Sequence, residues 1–593
     1  MIRRVHDTAG DARVFPVSPG FPPHSCWQLI LFGLWGVATC FGATSVCADD
    51  ARIRAHLLKL SHDDVQVRKT GLDALARTGD LRLEAVLNFY RSGSLYNFND
   101  EIVLCEETIE DEDFNELAPL SDPLTNAPLT DPQGRQLLVP VEDLIEISPS
   151  RAERRLANNA KFFLRLSSPD EELRLSGAKK CGDPPAVIDA LDRLREMMKN
   201  DPRPAVRYVA QESFYLIHLS ETLPDQTPTT KATAAQLLGE IKSLRALPRL
   251  EAVLKELGAT VNQSADYKSL AIVCHTAIGK IRGHQKFVSS CENVFQGLSL
   301  GSVLILMALG LAITFGLMGV INMAHGELMM IGAYATYEVQ LLFVRWIESG
   351  HTSQAAYDWY YVVAFPVAFL SAAFVGFLME LSVVRHLYRH PLESLLATWG
   401  IGLVLIQMVR LRYGDNIGVN APQWARGSVQ VVQDVNLPYA RIFIILLCLG
   451  SVVLVYCLMR HTTIGLRIRA TMQSRDMAKS LGVNTVALDR FTFAFGAGLA
   501  GTAGYAWTLI GGVTPDMGQT NFIVDSFLVV VVGGVGKLIG VVCSGLGIGI
   551  VTKVIEPVTG SIWAKIILLI AIVAFIQFKP AGLFSPKGRL ADA

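Results

Sequence analysis

The chain lacks a charge excess of either sign: 53 Lys and Arg stand against 54 Asp and Glu in 593 residues. That balance excludes a strongly basic, nucleic-acid-binding surface, so no nucleic acid partner is expected. No Gly-x-x-x-x-Gly-Lys-[Ser/Thr] sequence occurs, so the chain carries no recognisable phosphate loop and needs no cofactor of its own. Its ten cysteines show no metal-type spacing, and no acidic loop matches the EF-hand pattern. No metal site is expected. Residues 92–134 lack Lys and Arg altogether while holding eleven Asp or Glu, and prolines 119, 123, 128 and 132 follow the acidic cluster. This stretch is expected to be a solvated insertion.

What the chain does have is a split in composition. Charged residues crowd positions 50–290, whereas long uncharged runs follow: Val294–Gly326, Trp359–Met379, Ser394–Val409, Phe491–Pro515 and Ile566–Phe578. Runs of about 18 apolar residues cross a hydrocarbon core about 30 Å thick. Crossings are expected at 299–321, 324–344, 361–384, 395–411, 441–459, 491–512, 523–535, 538–555 and 562–578. The seventh and eighth are short enough to be one broken helix or a re-entrant pair.

Three regions follow. Residues 1–48 read as a signal peptide: Arg3, Arg4 and Arg13 precede the apolar run Trp27–Phe41, and Val46-Cys47-Ala48 offers a small-residue cleavage site. An uncleaved signal anchor is the alternative. Residues 49–290 read as an exported helical domain interrupted by the acidic insertion 92–134. Residues 291–593 read as the membrane domain. If exported, the first domain could form disulfides among Cys105, Cys181, Cys274 and Cys291.

The exported domain shows a weak internal repeat. Val67-Arg68 with Gly71, Leu173-Arg174 with Gly177, and Val206-Arg207 with Ala210 share one plan: an apolar residue, Arg, then a small residue three positions on. Such units resemble HEAT repeats, which stack helix pairs into a solenoid. A plain helical bundle is the other solution. The fold class expected for the whole chain is all-α: a polytopic transmembrane helical bundle of about eight or nine crossings with a HEAT-like solenoid before it.

Basic residues orient the membrane domain. Arg385 and Arg389 follow the third crossing. Arg460, Arg467, Arg469, Arg475, Lys479 and Arg490 lie in the 460–490 loop, and Lys579, Lys587 and Arg589 in the tail. All are expected on the cytoplasmic side. An exported first domain and a cytoplasmic tail require an odd number of crossings, and nine fits. Gly297/Gly301, Gly536/Gly540 and Gly545/Gly549 form G-x-x-x-G pairs suited to close helix approach. Gly496-Ala497-Gly498-Leu499-Ala500-Gly501 matches a dinucleotide fingerprint in form only. It lies within an apolar run with no strand before it, so Gly498, Gly501, Gly536 and Gly540 are expected to pack helices.

Motifs narrow the class. Gly319-Val320-Ile321-Asn322-Met323-Ala324-His325-Gly326-Glu327 joins the first two crossings. Gly465-Leu466-Arg467-Ile468-Arg469-Ala470 and Met477-Ala478-Lys479-Ser480-Leu481-Gly482-Val483 lie in the basic loop. Together they resemble the LivH-type permeases of ABC importers, the branched-chain amino acid transport family. Pro391-Leu392-Glu393-Ser394-Leu395-Leu396-Ala397-Thr398-Trp399-Gly400-Ile401 and the helical extension are similar to the urea permeases of that family, the UrtB type. The tail Lys579-Pro580-Ala581-Gly582-Leu583-Phe584 also fits. Lys537 departs from the Asn often found after Gly-Gly-Val-Gly in that family.

The resemblance implies alternating access in a bacterial inner membrane, with the first domain periplasmic and the C-terminus cytoplasmic. It implies a second permease subunit, two cytoplasmic ABC ATPase subunits that use the ATP, a periplasmic solute-binding protein, and lipid as partners. Arg469, Arg475, Ala478 and Gly482 would lie in the ATPase-coupling loop. The solute would be urea or a short amide, with branched-chain or other amino acids as the alternative. Polar residues at membrane depth are the path candidates: Asn322, His325, Glu327, Thr398 and Asp525. A membrane sensor or scaffold is the rival of another class. An enzyme is not expected, and no catalytic residue is assigned.

Overall fold

The computed structural model describes residues 50–584 apart from 111–115, 132–133, 185, 221–226, 260–264, 320, 350–356, 389, 433, 535 and 580–581. The expected signal peptide and the tail residues Lys587 and Arg589 lie outside the described residues. The chain forms two compact units, Met1–Arg282 and Gly283–Ala593.

The first unit is built on helices α1 (Val65–Thr78), α2 (Leu83–Ser92), α3 (Arg151–Arg165), α4 (Glu171–Gly182), α5 (Leu191–Asn200), α6 (Pro204–His218), α7 (Pro228–Glu240) and α8 (Leu247–Ala259). Local chemistry sets their ends. Asp64 and Asp170 accept backbone N–H groups at the starts of α1 and α4. Ser150 and Glu153 form a reciprocal capping box on α3.

The sequence repeat has a structural counterpart. The Arg68 guanidinium donates to the carbonyls of His62 (2.8 Å) and Asp63 (3.2 Å). Arg174 donates to those of Ser168 (3.0 Å) and Pro169 (2.8 Å). Arg207 donates to those of Asp201 (2.7 Å) and Pro202 (3.3 Å). Each arginine thus ties down the turn before its own helix. The small residue one turn later sits where the preceding helix passes. A Cβ on Gly177 would lie 2.8 Å from the Arg165 Cβ, and Ala210 is fully buried.

The expectation of an all-α fold is corrected here. The acidic insertion forms two antiparallel three-stranded sheets, ordered β2-β1-β6 and β3-β4-β5. The strands are β1 (Leu95–Phe98), β2 (Glu101–Leu104), β3 (Ile109–Glu110), β4 (Glu116–Pro119), β5 (Leu138–Pro140) and β6 (Ile145–Glu146). Counting acids hid the apolar residues between them. Val103, Cys105, Ala118, Leu120 and Val139 share one small core. Asn99 (φ +50°) and Asp100 (φ +61°) close the two-residue hairpin between Phe98 and Glu101. Asn and Asp tolerate the left-handed conformation that this turn demands.

The membrane unit begins within α9 (Ala265–Met318), a helix that runs through residues of both units. It continues with α10 (His325–Glu348), α11 (Trp359–Ser382), α12 (Pro391–Tyr413) and α13 (Tyr439–His461). Then come α14 (Thr463–Gln473), α15 (Arg475–Ser480), α16 (Thr485–Trp507), α17 (Ile523–Gly533), α18 (Leu538–Thr559) and α19 (Ser561–Phe578). By length and composition six described helices can cross a membrane: α9, α11, α12, α13, α18 and α19. The expected crossing at 523–535 is an eleven-residue helix, α17, entered through a π-helical turn at Gly518–Phe522. At 1.5 Å per residue it is about 16 Å long, half of what a hydrocarbon core requires. Helices α10 and α16 are long enough, but carry charged residues; α10 buries half of its length and α16 most of it.

Helix α16 is the hub of this unit. Its backbone meets three neighbours almost without side chains between them. A Cβ on Gly501 would lie 2.5 Å from the Ala368 carbonyl oxygen on α11. A Cβ on Gly332 of α10 would lie 2.2 Å from the Gly501 carbonyl oxygen, and one on Gly310 of α9 would lie 2.3 Å from that of Gly496. Tyr361 of α11 and Tyr505 of α16 each donate a hydroxyl to the other's carbonyl, at 2.8 and 3.0 Å, with their rings stacked.

Candidate functional site

The connection from α9 to α10 gathers the polar residues. Gly319, at φ +67°, ends α9 in a left-handed conformation that glycine adopts without strain. The chain then turns so that the Asn322 Oδ1 accepts from the Ala324 N–H at 3.1 Å. The Met323 N–H donates to the Thr398 Oγ1 on α12, also at 3.1 Å. One helical turn further along α12, a Cβ on Gly402 would lie 3.1–3.3 Å from the Glu327 carboxyl group. Asn322, Glu327 and Thr398 therefore share the α10–α12 contact. All three are buried.

His325 points elsewhere. Its Nε2 lies 3.1 Å from the Met307 carbonyl oxygen on α9. Asp525 joins neither group. It is half-buried in the first turn of α17, with Lys565 of α19 as its opposing charge. The structure thus brings three of the five path candidates together, sets His325 behind them against α9, and places Asp525 apart.

Buried polar groups are normally satisfied. Here the Asn322 Nδ2, the His325 Nδ1 and the Glu327 Oε2 have no partner among the described residues. The unused capacity comprises amide donors, a carboxyl oxygen and an imidazole nitrogen that can take either role. Such a set suits hydrogen bonding to a small polar molecule.

The basic loop folds as α14, α15 and the start of α16. Ala478 is buried within this unit, whereas Met477 and Leu481 beside it are exposed, Leu481 at 78%. Gly482 ends α15 at φ +82°. Arg469 donates to the Met459 carbonyl, and Arg475 is bound to Asp489. The outward surface of α15 therefore mixes the apolar Met477 and Leu481, which small-residue matching did not single out, with Asp476, Lys479 and Ser480. Charge counting along the loop also missed the buried partners Glu380 and Asp489, because each lies inside an otherwise apolar or mixed helix.

Gly498 faces the Phe369 ring, from which a Cβ would lie 2.6 Å away. Gly540 backs onto Gly533, with 2.0 Å between a would-be Cβ and the carbonyl oxygen. Gly536, at φ +79°, forms the turn before α18. All described cysteines are free.

Comparison with known proteins agrees with the motifs. The family described as "Branched-chain amino acid transport system / permease component" matches residues 293–576. The high-affinity branched-chain amino acid transport system permease protein LivH of Escherichia coli strain K12 is 26% identical over 312 residues, covering 50% of this chain and 96% of LivH. BraD of Pseudomonas aeruginosa, named for the same transport system, is 25% identical over 299 residues, 49% of this chain and 94% of BraD. A probable branched-chain amino acid transport permease LivH of Methanocaldococcus jannaschii is 25% identical over 297 residues, 48% of this chain and 88% of that protein. No solved structure matches. The match covers the polar connection, the hub helix and the basic loop alike, and over its membrane unit this chain is similar to the branched-chain amino acid transport permease family.

Proposed function

We propose that the chain is the permease subunit of an ABC importer and forms part of the path for urea or a short amide. The observation that carries the solute class is the α10–α12 contact. Its residues are Asn322, Thr398 and one carboxyl group, Glu327, with no Lys or Arg among them. Urea is neutral and offers one carbonyl and two amino groups. Unpartnered amide, imidazole and carboxyl atoms at Asn322, His325 and Glu327 match that inventory. An amino acid would bring a carboxylate that requires a cation or a helix N-terminus, and among these residues only the start of α10 offers one.

The second reading is an amino acid permease. It is favoured by the named function of the relatives, each a branched-chain amino acid transport permease. The two readings separate cleanly in proteoliposomes holding the chain with its second permease, its ATPases and its binding protein. Labelled urea should accumulate with ATP and labelled leucine should not. Leucine accumulation without urea uptake would reverse the assignment. Asn322→Ala should reduce uptake about tenfold, the loss of one or two hydrogen bonds to solute.

Alternating access by an ATP-driven pair of permeases follows from the same reading. The first unit would then face the periplasm and the basic loop the cytoplasmic ATPases, with the residue at 593 inside. Nine crossings remain the topology that this orientation asks for. Helices α10 and α16 would cross shielded by their neighbours, and α17 would cross only together with the π turn that precedes it. Asp525 would line the path from α17, and the first unit would be a HEAT-like stack that receives the binding protein.

A further inference from the structure

Two carboxylates of the membrane unit are wholly enclosed, and neither belongs to the Asn322–Glu327 group. Glu380 lies in the last turn of α11 and Asp489 in the first turns of α16. Neither side chain has any exposed surface. Each is met by an arginine. The Arg475 guanidinium donates to the Asp489 Oδ2, and the Arg490 Nε stands 3.5 Å from the Glu380 Oε2. Tyr388, in the segment after α11, donates its hydroxyl to the Glu380 Oε1 at 2.8 Å. The same tyrosine ring lies beneath the Arg475 guanidinium, 5.3 Å from ring centroid to Cζ. Asp489 and Arg490 are chain neighbours, so the five side chains close a ring. It joins α11, the segment after it, α15 and α16.

The ring is neutral, with two cations and two anions. Enclosing the two carboxylates is costly unless each is fully paired, and apolar residues of similar size would fill the space more cheaply. These charges are not fully paired. Among the described residues, the Asp489 Oδ1, the Glu380 Oε2 and the Arg490 Nε make no hydrogen bond. A tie evolved only for stability would complete those contacts. A tie that must re-form in a second arrangement keeps spare donors and acceptors.

Its location says what it would tie. Arg475 is the first residue of α15, the six-residue helix that presents Met477 and Leu481 outward. Asp489 and Arg490 begin the hub helix, whose buried stretch from Gly496 to Ala506 packs on α9, α10 and α11. Glu380 ends α11, the helix most intimately packed on the hub. A displacement of α15 thus reaches the hub through Arg475–Asp489 and reaches α11 through Tyr388–Glu380.

We propose that Arg475, Asp489, Arg490, Glu380 and Tyr388 are positioning residues that couple movement of α15 to the helices enclosing the path. The proposal rests on the reading of 460–490 as the ATPase-contacting loop. The test is the complete transporter in proteoliposomes, with ATP hydrolysis and solute accumulation measured on the same sample. Asp489→Asn should lower the solute moved per ATP about tenfold, a typical coupling between distant sites. ATP turnover and ATPase co-purification should stay within about twofold on that scale. Tyr388→Phe should do the same. It removes only the hydroxyl that meets Glu380, and it carries the test if Asp489→Asn does not accumulate. The exchange Arg475→Asp with Asp489→Arg should recover part of the ratio, which a packing defect would not. An unchanged solute-to-ATP ratio in the single variants would overturn the proposal, as would a fall of transport and hydrolysis in constant proportion. Failure of the unaltered chain to bind any ATPase sinks the coupling-loop reading itself, before any variant is compared.

Discussion

The two units of this chain are both helical, yet they hold their helices together by opposite means. In the first unit long side chains reach across the gaps. Arg165 is bound to Glu84, Arg174 to Asp201 at 2.9 Å, and Arg245 to both Glu212 at 2.6 Å and Asp183 at 2.8 Å. In the membrane unit the gaps themselves vanish, and α16 meets its neighbours through Gly496 and Gly501. The difference follows from the solvent. Water lets charged groups at helix edges keep part of their hydration, so arginine bridges are affordable there. Lipid offers no hydrophobic drive between helices, so close backbone packing must supply the attraction. The membrane unit also bridges arginines, at the exposed Asp415 and at the enclosed Asp489 and Glu380, and the enclosed pair is where the proposed coupling lies.

The comparison breaks most visibly at Gly501. Gly501→Leu should cost more than about 4 kcal/mol, the exceptional end of single substitutions. Size-exclusion profiles in detergent should show no monodisperse protein. Gly547, where an added Cβ meets nothing within 4 Å, is the control, and Gly547→Ala should elute as the unaltered chain does. A normal profile for Gly501→Leu would mean that α16 does not pack as described.

A smaller effect is expected in the first unit. Glu212 is buried and accepts from both Ser243 and Arg245. Arg245→Ala leaves that carboxylate without its cation and should cost about 3 kcal/mol. The thermal unfolding of the whole chain, followed by circular dichroism, should show an earlier first transition with the membrane transition unmoved. Movement of both together would deny the separateness of the two units.

The smallest effect is one of pH. The Arg165 guanidinium hydrogen-bonded to Glu84, with Lys161 beside it, holds the Glu84 carboxyl below its ordinary range despite partial burial. A depressed carboxyl stabilises the fold above its unfolded value, about 4.3, and that contribution is lost as pH falls through the folded value. It should amount to about 1 kcal/mol. Between about pH 5 and 3 the first transition should drop less in Glu84→Gln than in the unaltered chain. Equal slopes would show that the pair contributes nothing.

Much of this architecture was legible from two signals, one strong and one weak. Uncharged runs mark membrane helices, and the Arg-plus-small pattern at 68/71, 174/177 and 207/210 marks turns that the structure builds alike. Asn322, Glu327 and Thr398 could be singled out as polar residues in apolar surroundings, but not that Thr398 receives the Met323 N–H. That contact depends on a fold-back of 75 residues. The sheets at 95–146 were missed because acid content outweighed a short alternation, Leu95 to Leu104, and a two-residue Asn-Asp turn. The shortness of α17 shows in the apolar stretch 523–535 itself, but the π turn before it does not, because Gly518–Phe522 reads as a polar Gln-Thr-Asn connection. The Arg475–Tyr388 ring could not be read from the chain, since its members are spread over 380–490 and share no spacing rule.

The sheet excursion carries a consequence for engineering. Its entering strand β1 pairs with its leaving strand β6, Tyr96 opposite Glu146. The helices on either side are clamped to each other independently, Arg68 to Glu153 and Arg91 to Asn158. The two ends of the excursion are therefore held about one strand spacing apart, about 4.8 Å, by contacts that lie outside its tip. A fluorescent protein or an affinity module inserted at the Asn99-Asp100 turn meets a docking collar already assembled. Ile102, Leu104 and Leu124 must stay, because they share the core of the surrounding helices.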